Sequence, residues 1–195
     1  MDSKQEKQLR QLFKYFNRFM LFMWRLGLGK WVNAWPERGG QIMVLCHTGR
    51  KSGLPRRTPV NYALINDDIY CTAGFGHISD WYRNIKANPA VEVWLPDGWW
   101  AGTAEDVSDS ADRLPLLRDV LIGSGFAAEM AGIYPQTMTD EALEVVTSDY
   151  RLLRIRRTAA RTGSGGPGDL AWIWPVITML LLPFALWRWR RGKHG

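Results

Sequence analysis

The chain has 195 residues, 25 Lys+Arg against 19 Asp+Glu for a formal charge of +6, and 11 Trp. Its 46% hydrophobic and 23% charged content excludes a disordered or collagen-like chain, and its length suits one domain with an appendage. The charge is divided: residues 1–38 carry +5, residues 39–150 carry −7 and residues 151–195 carry +8. A phosphate-backbone binder gathers its cations on the domain that docks, so no nucleic-acid partner is expected, and basic ends beside apolar segments point to lipid instead.

The first segment, residues 1–38, contains Leu9–Leu28, where Leu12, Phe13, Phe16, Phe19, Met20, Met23 and Trp24 recur at three-four spacing. Arg10, Lys14, Asn17, Arg18 and Arg25 fill other positions, which predicts an amphipathic helix. Such a helix serves equally for packing on a core or lying at a membrane interface. Lys14 and Arg18 interrupt any apolar stretch a signal peptide would need.

Residues 39–158 alternate short β-rich runs with turn signals. Strands are expected at Ile42–His47, Thr58–Ile65, Ile69–Ala73, Val91–Leu95, Trp99–Val107 and Tyr150–Arg156. Asn66-Asp67-Asp68 and Pro96-Asp97-Gly98 read as hairpin turns. Ser79–Ala87 reads as a helix with Ser79 at its N-cap and Asn88-Pro89 as its stop, followed by helices at Ser108–Gly123 and Thr139–Val146. Hairpin-linked strands with helices between them indicate an α+β domain, an antiparallel barrel or sheet with helices at its edges.

Two cysteines, Cys46 and Cys71, are too few for a disulfide scaffold and read as free buried thiols. His47, His77 and His194 are scattered, and His77 after Gly-Phe-Gly reads as a loop bystander, so no metal site is expected. The sequence has no GxSxG elbow, Walker loop or GxGxxG fingerprint.

Thr48–Pro59 (TGRKSGLPRRTP) is the densest chemical signal. Arg50, Lys51, Arg56 and Arg57 are half of the basic residues in an otherwise acidic domain. With two glycines opening a loop that can aim backbone N–H groups outward, the cluster suits a phosphate, or else a solvated basic hairpin.

Residues 159–169 are rich in glycine and read as a flexible linker. Residues 170–188 follow as an apolar stretch, uncharged from Leu170 to Trp187 and bracketed by Trp172/Trp174 and Trp187/Trp189, and residues 189–195 form a basic tail. Eighteen residues rise roughly 27 Å as a helix, close to the ~30 Å hydrocarbon thickness, so a minimal transmembrane or membrane-associated helix is expected despite Pro175 and Pro183. Basic residues on both sides give no orientation.

TGRKSGLPRRTPVNY with TAGFGHISDWYRNIKANPAVEVWL resembles the deazaflavin-dependent nitroreductase family, oxidoreductases that use reduced coenzyme F(420). The resemblance covers about residues 40–157 and implies a split β-barrel related to flavin-mononucleotide-binding proteins. It implies that Arg50, Lys51 and Arg56 hold the cofactor phosphate and its polyglutamate tail, with Ser52, Gly53 and Arg57 in the same binding set. Thr58, Pro59, Val60 and Asn61 would lie against the deazaflavin and ribityl chain, and Ala73, Gly74, Phe75 and Gly76 would form the opposite wall. Trp81, Tyr82 and Asn84 would belong to a helix backing the site, with Trp81 and Tyr82 chiefly as packing.

This chain has Ala73-Gly74 where many relatives have Ser-Lys, so one cationic contact is missing. Tyr134-Pro135 matches a substrate-pocket Tyr-Pro of relatives, and Tyr134 is the candidate hydrogen-bond donor to an acceptor receiving hydride. The resemblance implies a reductase passing hydride to a lipophilic acceptor, such as a quinone, or to a nitroaromatic. The alternatives are an FMN-dependent reductase and a non-catalytic flavin or deazaflavin carrier or sensor at the membrane. A head on the cytoplasmic face of the membrane, able to form a homodimer, is the expected setting.

Overall fold

The computed structural model describes residues 15–191, without the side chains of residues 37, 38 and 184–191. Leu12, Phe13, Arg10 and Lys14 of the expected first helix lie outside the described residues, as do His194 and the end of the basic tail.

Six antiparallel strands close a barrel: β1 (Ile42–Thr48), β2 (Pro55–Ile65), β3 (Asp68–Ala73), β4 (Ala90–Leu95), β5 (Gly98–Asp106) and β6 (Arg151–Ala160). Their order around the barrel is β1-β2-β3-β6-β5-β4, and β1 pairs with β4 to close it. Closure removes the exposed edges of an open sheet. The turns behave as their residues require. Ile65 pairs with Asp68, so Asn66 and Asp67 alone make the loop, both with positive φ (51° and 67°), the conformation of a tight hairpin turn that Asn and Asp tolerate.

Alternation along the strands divides two cores. Met43, Leu45, Tyr62, Ile69, Cys71, Val91, Val93, Leu95, Leu153 and Ile155 pack together as one. The intervening Ala63, Tyr70 and Leu152 pack instead with Leu117, Val120, Leu121 and Leu143 of α5 (Arg113–Gly123) and α7 (Asp140–Val146). The helix α4 (Asp80–Ala87) joins the first core through Tyr82 and Ile85. Helix α5 starts at Arg113 rather than Ser108 because Ser108 is used elsewhere: its hydroxyl donates to Asp106 and accepts from the Leu152 backbone N–H at 2.9 Å. Thr139 does cap α7, accepting from the Ala142 N–H at 3.3 Å, whereas Ser79 precedes α4 without a capping bond.

The N-terminal helix α1 (residues 15–25) realises the packing half of its expected pattern. Met20 and Trp24 are buried, and Trp24 packs on Val44 and Trp94 outside the barrel. Tyr15, Phe19 and Phe22 remain exposed. Two one-turn helices, α2 (Gly29–Val32) and α3 (Pro36–Gly39), lead into β1.

The C-terminal region corrects the sequence reading twice. The expected flexible linker 159–169 is a packed strap. Ala159 and Ala160 extend β6, Arg161 binds Glu92 at 2.6 Å, and the Gly165 carbonyl accepts from Arg57 at 2.7 Å. Gly166 lies so close to Trp99 that a Cβ would sit 2.5 Å from the indole. The Gly168 N–H donates to the Trp24 carbonyl, and Asp169 takes both arms of the Arg25 guanidinium. The glycines here serve close backbone approach as well as freedom.

This docking also shortens the apolar stretch. Residues 170–172 form a turn, with the Leu170 N–H on the Arg25 carbonyl, and α8 spans Ile173–Arg191. Only residues 173–187 are then both helical and uncharged before Arg188, a rise of about 22 Å against a hydrocarbon thickness of ~30 Å. Among the described residues no helix is long and apolar enough to cross a membrane. The expected span at 170–188 is therefore unsupported. What stands there is an apolar helix tied to the turn after α1 by the Trp174 indole N–H on the Leu26 carbonyl. Pro175 falls in its first turn, where a missing N–H breaks no helical bond.

Candidate active site

A cavity of about 640 Å³ opens beside the barrel, within the size range of small-molecule sites. One wall is Thr58, Pro59, Val60 and Asn61 of β2. Another is Gly74 and Phe75, beyond the end of β3, with Ser79, Asp80 and Trp81 at the start of α4. These two motifs, more than a dozen residues apart in sequence, are the ones expected to face each other. The antiparallel β2–β3 hairpin brings them together, pairing Tyr62 with Cys71.

The rest of the lining was not legible in the sequence. Phe16 and Asn17 of α1 form part of it, with Leu121, Ser124 and the segment Phe126–Ala131 around α6 (Phe126–Met130), and Tyr150 before β6. The local hint was Gly123-Ser124-Gly125, which breaks α5 and turns the chain back: Gly125 has φ +54°. Phe126 and Met130 stay 41% and 55% exposed beside a cavity they line, unusual for large apolar side chains without a ligand or partner.

The basic loop between β1 and β2 lies next to α4. The Gly49 N–H donates to the Leu54 carbonyl and the Gly53 N–H to the Gly49 carbonyl, closing a tight turn with Gly53 at φ +65°. Arg50 reaches α4: its side chain meets Asp80 Oδ1 at 3.0 Å and Asn84 Oδ1 at 2.9 Å. Lys51, Ser52 and Arg56 are exposed. Arg57, one position on and so on the other face of the strand, is separated from this set. Its guanidinium stacks over Trp94 at 5.0 Å and holds the strap.

Several expected residues act behind the cavity rather than on its surface. Ala73, Gly76, Tyr82 and Asn84 are not part of the lining. The Tyr82 hydroxyl donates to Asp106 at 2.5 Å, and its ring packs in the first core. Asp106 also binds Lys86 and Ser108. Burial raises its carboxyl pKa, but the bonds from Ser108, Tyr82 and Lys86 together hold it below the usual carboxylate range. Tyr134 is 55% exposed and does not line the cavity, whereas Tyr150 does. His77 is exposed, with its carbonyl accepting from Arg83. Burial pushes the Cys46 and Cys71 thiols up to about 12, so neither is a nucleophile at neutral pH.

His47 is the polar residue that sequence reasoning passed over. It is 5% exposed and hydrogen-bonded to Thr58 at 3.1 Å and Asn84 at 3.3 Å. Burial, and then the charge of Arg56, push its pKa down to about 4 from an ordinary value near 6.5. The unfolded chain thus binds a proton between pH 6.5 and about 4 that the folded chain refuses. Stability is expected to be unaffected by His47 above pH 6.5 and to fall as pH drops through that window, by about 3 kcal/mol in all. Urea unfolding at pH 7 and pH 4.5 checks this: His47→Gln should flatten the acid limb, and an unchanged limb would refute the assignment.

The family model described as F420H(2)-dependent quinone reductase matches residues 18–146, a span holding most of α1, the basic loop and both cavity motifs. The chain belongs to that family. It is a deazaflavin-dependent reductase, and the cofactor of its family is coenzyme F(420). Among similar solved structures is an F420-H2-dependent reductase at 23% identity, covering 60% of this chain and 94% of that one, with TM-score 0.42. An F420 reductase matches at 25% identity, covering 65% and 93%, with TM-score 0.41. A conserved hypothetical protein from Mycobacterium tuberculosis matches at 21% identity, covering 72% and 91%, with TM-score 0.42.

The residues of this reductase fit such a cofactor. The Ser79 hydroxyl oxygen is buried without a hydrogen-bond partner in a residue that lines the cavity, an atom that a polar heterocycle would satisfy. Lys51 on the β1–β2 loop and Arg56 at the start of β2 present exposed cations just before the cavity wall at Thr58. When bound, the deazaflavin supplies a hydride. The protein's part is to bind, orient and exclude water.

Proposed function

We propose that this reductase binds reduced coenzyme F(420) with its ring between Thr58–Asn61 and Gly74–Phe75 and its phosphate toward Lys51 and Arg56, and that it reduces a quinone. The observation carrying the acceptor class is the third side of the cavity. Phe16, Phe126, Met130 and Ile133 make it apolar, and Phe126 and Met130 remain exposed, which suits a lipophilic acceptor. Nitroaromatic compounds, flat and aromatic, are incidental substrates of the same surface. The chain's residues perform no covalent step. They hold donor and acceptor in contact and keep bulk water from between them.

Two titrations test the cofactor: fluorescence quenching with coenzyme F(420) and with flavin mononucleotide. Micromolar binding of the first and none of the second is expected, and the reverse would make the protein an FMN enzyme. Stopped-flow mixing of the reduced complex with menaquinone is expected to oxidise the cofactor within the turnover time. A complex that binds but is not oxidised would be a carrier.

The same reading places the reductase at the cytoplasmic face of a membrane, where Tyr15, Phe19 and Phe22, exposed on α1, meet the interface beside basic residues. Phe19→Ser with Phe22→Ser alters only exposed side chains and is expected to abolish flotation with anionic phospholipid vesicles. Unchanged flotation would remove α1 as the contact.

A further inference from the structure

Thr58 lines the cavity, and its hydroxyl is not free to point anywhere. Behind it lies a chain of buried polar contacts. Asn84, 7% exposed, receives on a single atom, Oδ1, both the Arg50 backbone N–H at 3.1 Å and the Arg50 Nη1 at 2.9 Å. Two donors can converge only on an acceptor, so this atom is the amide oxygen and the amide nitrogen faces His47. Asn84 Nδ2 lies 3.3 Å from His47 Nδ1. An N–H donor facing Nδ1 requires that nitrogen to accept. The imidazole proton is therefore on Nε2, and an imidazolium would set two donors against each other. His47 Nε2 lies 3.1 Å from Thr58 Oγ1. Thr58 Oγ1 accepts that hydrogen bond, which leaves its own O–H to donate elsewhere, and Thr58 is a residue of the cavity lining.

We propose that Asn84 and His47 are positioning residues that fix the Thr58 hydroxyl as a hydrogen-bond donor into the cavity, selecting a ligand that presents an acceptor atom to β2. Resting on the cofactor reading above, that acceptor is a carbonyl or ring-nitrogen edge of the deazaflavin. The relay begins at the backbone N–H of Arg50, so the conformation of the basic loop and the donor orientation at Thr58 are parts of one unit. The loop grips the charged end of the ligand and Thr58 reads its ring. Within the relay both His47 nitrogens and Asn84 Oδ1 are partnered, which limits what burying these polar groups costs.

The first test needs no cofactor. Long-range ¹H–¹⁵N spectra of histidine-labelled protein at pH 7 are expected to show His47 neutral with its proton on Nε2. A proton on Nδ1, or an imidazolium, overturns the relay. The second test is a double-mutant cycle read as the dissociation constant of oxidised coenzyme F(420) by fluorescence. Thr58→Val is expected to weaken binding about tenfold, the loss of one neutral hydrogen bond, and Thr58→Ser to leave it within about twofold. His47→Gln is expected to weaken binding in the parent but to have no further effect on Thr58→Val. Additive losses would mean that His47 acts by packing alone and would overturn the proposal, as would an unaffected Thr58→Val. If the parent chain binds flavin mononucleotide instead of coenzyme F(420), the cofactor reading fails and the same cycle with flavin mononucleotide judges the relay. Binding of neither overturns both.

Discussion

Replacing Arg50 and Lys51 together by alanine is expected to weaken coenzyme F(420) binding by roughly 100- to 1,000-fold. Hydrogen bonds to a charged group contribute about 1.5–3 kcal/mol each, and every 1.4 kcal/mol is about tenfold in affinity. The two residues lose this affinity differently. Lys51 is exposed, so Lys51→Ala removes a point charge and little else, for a loss of about tenfold. Arg50 is already engaged with Asp80 and Asn84, so Arg50→Ala also leaves Asn84 Oδ1 without its Nη1 donor and loosens the relay toward Thr58. Fluorescence titration at two ionic strengths separates these effects. Loss of a phosphate contact flattens the salt dependence, whereas loss of the brace alone leaves it unchanged. Full affinity in the double variant would remove the loop from the phosphate site.

Gly76→Ala is expected to lower unfolding free energy by about 2–4 kcal/mol, through backbone strain and overpacking together. Gly76 has φ +56°, and a Cβ there would lie 2.3 Å from the Asp149 carbonyl oxygen, a backbone atom that cannot swing aside. Relief would require moving either the Gly74–Phe75 wall or the segment carrying Tyr150, and both border the cavity. Gly53→Ala is the control. Gly53 has φ +65° but nothing within 4 Å of its Cβ position, so it is expected to cost only the conformational term, about 1 kcal/mol. Urea denaturation of the two variants measures the difference. An equal loss in both would show that the Asp149 contact yields easily.

The barrel was legible because its strands carry their instructions locally. Ile42–His47 is a β-rich run, Val91-Glu92-Val93 alternates and assigns one face inward, and Asn66-Asp67 makes the turn. The two cavity-wall motifs were legible for the same reason, each being a contiguous run. Arg57 was grouped with its basic neighbours because charge density along a sequence ignores the period of a strand, which sends adjacent residues to opposite faces. The strap at 161–169 read as a tether because glycine signals both freedom and close approach, and only the presence of Trp99 and Trp24 decides between them. Tyr134 and Tyr150 are equally plausible wall residues as letters. The path of the chain after α6 leaves the first exposed and puts the second on the cavity.

The sequence by itself determined the antiparallel strands, the turns between them, the basic loop and the family to which they belong, because each depends on the chemistry of neighbours along the chain. The tertiary structure alone decided that Arg57 parts from its basic neighbours to stack on Trp94, that the helix of the apolar C-terminal stretch begins only at Ile173, and that His47 is buried between Asn84 and Thr58. Those outcomes depend on contacts between residues tens of positions apart. Burial and hydrogen-bond geometry, which no local pattern encodes, set the charge, the proton and the direction of each side chain there.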